Sequence, residues 1–457
     1  MALFGFQLVT TFIAVTALQK LNAYFSFAQW LIARGNLTWF KLPNEQEVRS
    51  QIKPENGKNY RRGRRGESIK DDSFIVPRSL DVQLIPRPVL EVHVIPLRYY
   101  SELQWLIDFT VVAVVVYITT ACFYLYNYPL KEFNLSMVWV LVVLVFASKY
   151  LFSVLKMYFD TEEKGELWMC LASGLCFLLV AMGIMLIGDD ILDFRLDEAL
   201  HKASEEAELL LEQQLSVNRG PISKGLIKLS LAFTCGILGA VLTFPGLRIG
   251  KTHLDSLRYS SDRTFVQMLL HCNFILPVFL LLLWIKPLGR DYILSNDVGH
   301  LLTGEDKPIM SEAAFERGRL GLVWCFCLIR LFFLPTHLQS YLNMAQERLD
   351  QLRKEAGKLT YHQLLLLVMS VFRYLCVVAI QYIAPVIVIF SLSLLLNTSY
   401  GALQLQDLSD SNVASSSAVG GHSLPLLSYA LISFMLWWAC LAWLATSLLG
   451  VAYHSVL

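Results

Sequence analysis

Charged residues are scarce in this sequence, and recognisable enzyme motifs are missing. Only 16% of the 457 residues are Asp, Glu, Lys or Arg, against about 25% in soluble domains. The 38 basic and 37 acidic residues give a net charge of +1, so no overall field attracts polyanions. H-E-x-x-H, G-x-S-x-G, the P-loop and a G-x-G-x-x-G turn after a strand do not occur. The sequence therefore argues against a soluble enzyme and a basic nucleic-acid-binding protein, and we expect no catalytic residue, metal site or cofactor.

Apolar residues, in contrast, are abundant and come in long blocks. They make up 55% of the chain, and the mean hydropathy is +0.50. A helix needs about 20 mostly apolar residues to cross a bilayer, and nine blocks are candidates: 2–19, 104–126, 136–158, 167–188, 226–245, 266–285, 319–336, 370–396 and 426–449. The sequence predicts an all-α polytopic membrane protein of eight or nine transmembrane helices with one long polar loop. The first block is either a signal peptide or an uncleaved signal-anchor.

These blocks divide the chain into four regions. We expect the first span or signal-anchor at 1–19, a basic polar loop at 20–103, spans 2 to 5 at 104–245, and spans 6 to 9 at 246–457. Inside the last region, residues 338–359 carry apolar side chains at helical spacing. This pattern predicts an amphipathic helix, which either lies on the surface of its own domain or binds a partner.

The loop at 20–103 holds 14 of the 38 basic residues. Its segment Lys58–Lys70, with R-R-G-R-R at its centre, is expected to be poorly ordered, because it has too little apolar area to offset its chain entropy. It serves either to attract anionic lipid head groups or merely as a solvated linker. Further on, Leu80–Val94 predicts a short, ordered β-like part that packs on the membrane domain.

Two signals disagree about the side of the membrane on which this loop lies. The Lys and Arg residues near the span ends favour a cytosolic loop and a cytosolic C-terminus. The sequon Asn36-Leu37-Thr38 argues the opposite, because glycosylation of Asn36 requires a lumenal position. We favour the cytosolic assignment and keep Asn36 as a candidate N-glycosylation site.

Ionisable residues inside apolar spans are costly, and they are usually functional or paired. Five such residues are candidates for an intramembrane charge network: Asp108, Lys149, Lys228, Arg330 and Arg373. Four of the five are basic, which suits an interior of positive potential that accepts an anionic group or a lipid phosphate. The other interpretation is a structural ion pair of Asp108 with an intramembrane Lys or Arg. We expect Asp108 to lie within salt-bridge reach of such a residue.

Two further features bear on helix packing. Gly236 and Ala240 form a small-x-x-x-small face for a close helix contact, whereas Pro277 and Pro385 lie inside spans and permit kinks. All nine cysteines lie in apolar blocks without a C-x-x-C pair, which favours packing over metal or redox chemistry.

Several motifs, in order along nearly the whole chain, resemble the transmembrane protein 161 family. They are Q-W-L-I-D-F (104–109), L-T-F-P-G-L-R (242–248), T-H-L-D-S-L (252–257), L-L-H-C-N-F-I-L-P (269–277), K-P-L-G-R-D-Y (286–292), H-L-Q-S-Y-L (337–342), K-E-A-G-K-L (354–359), Q-Y-I-A-P (381–385) and W-W-A-C (437–440). The resemblance implies a multipass membrane protein without enzymatic activity. It further implies a role in cardiac rhythm, in restraint of calcium and potassium currents, and in the response to oxidative stress.

The function implied is therefore regulation of cation homeostasis and membrane excitability. The partners expected are the lipid bilayer and an ion channel or pump, not nucleic acid, and the location is the endoplasmic reticulum or the plasma membrane. The alternative is a transporter or lipid-handling protein that uses the positively charged interior for an anionic group. A roomy, hydrated cavity around Arg330 and Arg373 would favour this alternative.

Overall fold

The prediction of an all-α polytopic membrane protein is confirmed. The computed structural model describes residues 2–21, 24–33, 35–51, 75–76, 83–126, 134–159, 165–215, 224–294, 310–354, 359–412 and 423–456. Within these ranges, eight helices are long and apolar enough to cross a membrane. The apolar part of the first helix, Leu8–Ala17, is shorter than a span. The expectations for Lys58–Lys70 lie outside the described residues.

Helices account for most of the described chain. In chain order they are α1 (Ala2–Leu21), α2 (Phe27–Ala33), α3 (Glu45–Gln51), α4 (Glu91–Val94), α5 (Tyr100–Tyr126), α6 (Ser136–Phe159), α7 (Gly165–Ile187), α8 (Leu196–Leu215), α9 (Lys224–Tyr259), α10 (Thr264–Leu282), α11 (Arg290–Ile293), α12 (Glu312–Lys354), α13 (Tyr361–Arg373), α14 (Leu375–Asn412) and α15 (Leu424–Val456). Four short strands complete the structure: β1 (Thr38–Lys41), β2 (Ile75–Val76), β3 (Ile85–Pro88) and β4 (Leu359–Thr360). The chain divides into two compact units, of which the first comprises Met1–Ser26, Trp105–Phe333 and Ile380–Leu457, and the second Phe27–Gln104 and Leu334–Ala379.

In the first unit, helix α9 packs closely against α7 through small residues, as the sequence predicts. A Cβ atom placed on Gly236 would lie 3.1 Å from the Gly174 carbonyl oxygen of α7, and one placed on Gly174 would lie 3.1 Å from Ala240 Cβ. The hydroxyls of Ser173 and Thr243 are hydrogen bonded across this contact at 2.7 Å. Because these side chains are small, the two helix backbones can approach closely. The two hydroxyl groups satisfy each other's hydrogen-bonding needs inside the contact.

Helix α9 also packs closely against α15. A Cβ on Gly250 would lie 2.6 Å from the Val451 backbone nitrogen, and one on Gly450 would lie 2.8 Å from Leu247 Cα. Nearer the N-terminal end of α15, the Trp438 indole donates a hydrogen bond to the Cys235 carbonyl of α9 at 3.0 Å. Glycines on both helices therefore place the two backbones in direct contact.

Two helices continue well beyond the apolar blocks that predicted them. The block ending at residue 245 becomes α9, which continues through Pro245 to Tyr259, and the block ending at 336 becomes α12, which continues through Pro335 to Lys354. The residues after Pro245 in α9 are polar in part, yet many of them are buried. Their burial within the chain's own fold, which a hydropathy window does not register, sustains the helix past the proline.

The second unit contains a short strand pair. Strand β1 pairs antiparallel with β3, with Thr38 opposite Pro88 and Lys41 opposite Ile85. The sequence placed a strand pair within Leu80–Val94, whereas the partner of β3 comes from residues 38–41 and residues 91–94 are helical. Pro86 and Pro88 have no N–H for a sheet ladder, which suits β3 to the edge of a two-stranded pair.

In this unit, the apolar stripe of the predicted amphipathic segment 338–359 is largely buried as far as residue 354, where the described helix ends. Leu349 belongs to a buried cluster with Leu42, Val48 and Leu364, and Leu338, Leu342 and Ala345 are also buried. The apolar stripe therefore packs on its own domain and is not free for a partner. The residues from 312 to 354 form one helix, so the segment is continuous with the sixth spanning helix of the structure.

Gln339 of α12 connects this helix to β1. Its side chain accepts a hydrogen bond from the Thr38 backbone nitrogen at 2.8 Å, donates to the Thr38 carbonyl at 3.2 Å, and donates to Asn343 Oδ1 at 2.7 Å. We expect Gln339→Ala to destabilise the attachment of β1 by about 1 to 2 kcal/mol and to speed proteolytic cleavage near residue 38. The exposed Gln351 of the same helix provides the control. Equal cleavage rates for Gln339→Ala and Gln351→Ala would contradict this role.

Candidate functional site

A buried cluster of charges lies where four parts of the first unit meet. At its centre is Arg319 of α12, whose side chain is 0% exposed. Its Nη1 lies 3.4 Å from Asp193 Oδ2, and its Nη2 lies 2.6 Å from Glu316 Oε2. Nη2 also donates to the Tyr429 hydroxyl of α15 at 3.0 Å. The guanidinium thus joins the segment after α7, its own helix and the last helix of the chain.

A second arginine, Arg290 of α11, extends this cluster towards the surface. Its Nη1 lies 2.9 Å from Asp193 Oδ1, and its Nη2 pairs with Glu312 at the start of α12. Arg195 Nη2 reaches the same Glu312 carboxylate at 2.8 Å. We name this set the Arg319 cluster; it comprises three carboxylates and three guanidinium groups, Asp193, Glu312, Glu316, Arg195, Arg290 and Arg319.

Backbone pairing fixes the Asp193 segment in place. The Asp193 nitrogen donates to the Trp284 carbonyl at 2.9 Å, and the Lys286 nitrogen donates to the Ile191 carbonyl at 2.8 Å. The next residue but one, Arg195, has a φ of 54°. This left-handed backbone reverses the chain just before α8 begins and presents Asp193 to the cluster.

The surroundings of the Arg319 cluster favour its charged state. The Arg319 guanidinium lies 4.4 Å from the centre of the Trp284 ring, a stacking distance at which a cation is attracted to the ring face. Burial alone would lower the pKa of Arg290, but the carboxylates of Asp193 and Glu312 raise it above its ordinary value. Glu312 and Glu316 lie in the first turns of α12, where the positive end of the helix dipole stabilises carboxylates.

Arg330, three turns further along α12, has a very different environment. It is 3% exposed, and its guanidinium lies 4.8 Å from the centre of the Trp443 ring and 5.2 Å from that of Phe326. The Tyr382 hydroxyl donates to the Arg330 carbonyl at 2.9 Å and is also hydrogen bonded to the Arg330 and Asn273 side chains. Among the described residues, no carboxylate forms an ion pair with Arg330.

The other predicted cations lie in separate surroundings. Lys149 is exposed on α6, with its Nζ 6.0 Å from the centre of the Tyr150 ring. Arg373 is exposed at the end of α13. Lys228 pairs with Asp197 of α8 and donates to the Met185 carbonyl at 3.4 Å, so it is tied to the end of the neighbouring helix.

Asp108 and Asn36, the remaining predicted residues, differ in burial. Asp108 is 3% exposed and accepts a hydrogen bond from Ser26 Oγ at 3.1 Å. Its pairing with an intramembrane Lys or Arg stays a prediction. Asn36 is exposed, with a φ of 48°, in the turn that follows α2. This position is accessible to modification, and the use of the sequon stays a prediction.

The Arg319 cluster escaped the sequence analysis, although local signals were present. Glu316 and Arg319 stand at i and i+3 on one helix face, a spacing that favours an ion pair. Arg319 was treated as the first residue of an apolar block, and hydropathy gives no reason to connect it with Asp193, which is 126 residues earlier. The described residues contain no group of three or more His, Cys, Asp or Glu side chains that could hold a metal ion.

The fold and these buried charges define a polytopic α-helical membrane protein. No solved structure matches this chain. The family model described as predicted transmembrane protein 161AB matches residues 2–424 and 423–457. The chain therefore belongs to the transmembrane protein 161 family, as its motifs indicated.

Proposed function

We propose that this protein is a non-enzymatic regulator of cation homeostasis and membrane excitability that acts on a calcium or potassium channel or pump. In this proposal it resides in the endoplasmic reticulum or the plasma membrane and does not conduct the cation itself. The family resemblance supplies the physiological context. The buried, positively charged Arg330 is the single observation that most supports a role outside the conduction path.

A cation that passes Arg330 is repelled by its guanidinium charge. Two unit charges 4 Å apart interact by about 4 kcal/mol at an effective dielectric of 20, and a divalent cation doubles that repulsion. Cation pores offset such costs with rings of carboxylate or carbonyl oxygens. In the described part of the chain, the buried carboxylates of the Arg319 cluster are already engaged by guanidinium groups, which leaves them poorly suited to bind a permeating cation.

In this proposal, the partner surface is neither the face at Gly236 and Ala240 nor the apolar stripe of 338–359. The face at Gly236 and Ala240 is occupied by α7, and the apolar stripe of 338–359 is covered within its own unit. The polar side of the α12 end remains exposed at Gln346, Asp350, Gln351 and Lys354. In this proposal, that polar side is the contact with the channel or pump.

Flux measurements test whether the protein conducts or regulates. Removing it from cells should change calcium or potassium signals, whereas purified protein in liposomes should pass neither ion. Arg330→Gln serves as the variant that removes the buried cation, and Lys149→Gln removes an exposed one. Selective Ca²⁺ or K⁺ conductance of the pure protein that is lost with Arg330→Gln and kept with Lys149→Gln would overturn the proposal.

One observation favours the alternative of a transporter or lipid-handling protein. Arg330 is a buried cation without a carboxylate partner in the described part of the chain, as a site for an anionic group requires. Arg373, the other residue on which this alternative depends, is exposed. Uptake of a labelled anion or lipid by the same liposomes, sensitive to Arg330→Gln, would support this second function in place of the first.

A further inference from the structure

Arg330 and Trp443 each have a hydrogen-bond donor without an acceptor among the described residues. These donors are the buried Arg330 Nε and Trp443 Nε1 atoms, and Arg330 Cζ lies 4.8 Å from the centre of the Trp443 ring. Trp443 is 2% exposed. A buried donor that lacks an acceptor loses its hydration without compensation, so two such donors in contact indicate a missing acceptor.

The charge of the site also lacks compensation. Phe326, Trp443, Tyr382 and Asn273, which contact Arg330 or share its hydrogen bonds, are all uncharged at neutral pH. Within the described ranges, Arg330 forms no ion pair with a carboxylate. A buried cation without a counter-ion is strongly unfavourable. The missing acceptor is therefore best supplied by a group with a negative charge.

We propose that Arg330 and Trp443 bind a small monovalent inorganic anion, of which chloride is the probe of choice. One guanidinium balances one negative charge, whereas a phosphate would bring a second charge that none of the described neighbours named above matches with a positive charge. The depth of burial favours an ion of few atoms over a lipid head group. The site is a resident counter-ion site; it does not depend on the proposed regulatory function and goes beyond it.

The dependence of thermal stability on chloride tests this site. Full-length protein in nanodiscs of neutral phosphatidylcholine is titrated with NaCl against sodium gluconate at constant sodium concentration. Binding to the native state alone should raise Tm in a saturable manner. In Arg330→Gln the apparent Kd should rise about tenfold or more. Lys149→Gln, which removes an exposed cation, should respond as the wild type does.

A second variant keeps the test decisive if Arg330→Gln fails to fold. Asn273 shares the Tyr382 hydroxyl with Arg330, so Asn273→Asp places a carboxylate beside the guanidinium as an internal counter-ion. This variant should be as stable in gluconate as in chloride, with the chloride response lost. A wild-type Tm that does not depend on chloride would overturn the proposal, as would an undiminished response in Asn273→Asp. Stabilisation by phosphatidylglycerol in gluconate, with none by chloride, would overturn it in favour of a lipid head group.

Discussion

Asp193→Asn should destabilise the protein by about 3 to 5 kcal/mol, because it leaves buried guanidinium charge without its carboxylate. Asp193 is 2% exposed at its side chain and contacts both Arg319 and Arg290. Asparagine keeps the shape and removes only the charge. Arg319 would keep its ion pair with Glu316, and Arg290 would keep its ion pair with Glu312. Both carboxylates are already engaged in these pairs, so neither replaces the lost charge of Asp193. Unfolding in mixed micelles, followed by the change in tryptophan fluorescence as the buried indoles become exposed, measures the loss of stability.

An exposed ion pair of the same unit serves as the control for Asp193→Asn. Glu198 and Lys202 lie one helical turn apart on α8 at 2.6 Å, with side chains 51% and 56% exposed. Such pairs contribute little, because water screens both charges. Glu198→Gln should therefore change the stability by no more than about 0.5 kcal/mol. Equal losses in the free energy of unfolding for the two variants would show that the Arg319 cluster stabilises the protein no more than an exposed ion pair does.

Gly250→Ala should separate α9 from α15 and destabilise the first unit by about 1 to 3 kcal/mol. The added Cβ would lie 2.6 Å from the Val451 nitrogen, 2.7 Å from the Gly450 carbonyl carbon and 2.7 Å from the Ser447 oxygen. All three are backbone atoms, so no side chain can rotate away to relieve the overlap. The helices themselves must move, and the polar contact of Trp438 with Cys235 moves with them. Thermal unfolding in detergent measures the loss.

Gly183 provides the matched control for Gly250→Ala. A Cβ at this position of α7 meets nothing within 4 Å. Alanine has the higher helix propensity, so Gly183→Ala should be neutral or stabilising by up to about 1 kcal/mol. The same Gly→Ala substitution would then lower the stability at Gly250 and leave it unchanged or raise it at Gly183. A loss for Gly183→Ala comparable to that for Gly250→Ala would refute the packing argument.

The sequence predicted the features that depend on local composition. Spans are recognisable because each apolar block carries its own signal, and the contact at Gly236 and Ala240 is recognisable because small residues recur at helical spacing. The end of α9 is not recognisable, since polar residues after Pro245 lower the hydropathy, whereas the amphipathic pattern at 338–359 does predict helix beyond Pro335. The burial of the residues after Pro245 depends on distant parts of the chain, which a local window does not include.

The Arg319 cluster was beyond such prediction for the same physical reason. Its members come from the segment after α7, from α11 and from the start of α12, and Tyr429 of α15 is hydrogen bonded to Arg319. Only the folded topology brings Asp193 to Arg319. The sequence marks Arg330 as an ionisable residue inside an apolar span, but its contact with the Trp443 ring depends on the packing of α12 against α15, which the sequence does not give.

Helix α15 follows in the sequence all the helices that it contacts here, and this order has a consequence for biosynthesis. This helix supplies Tyr429 to Arg319, Trp443 to Arg330 and the glycine surface against α9. Until the ribosome has released it, the earlier helices sit in the membrane with two arginines lacking a contact and with one face of α9 uncovered. Insertion of α15 therefore completes these contacts in a single step. Chains truncated before residue 424 should therefore be degraded faster in cells than the full chain, even though their preceding spans are apolar enough to insert.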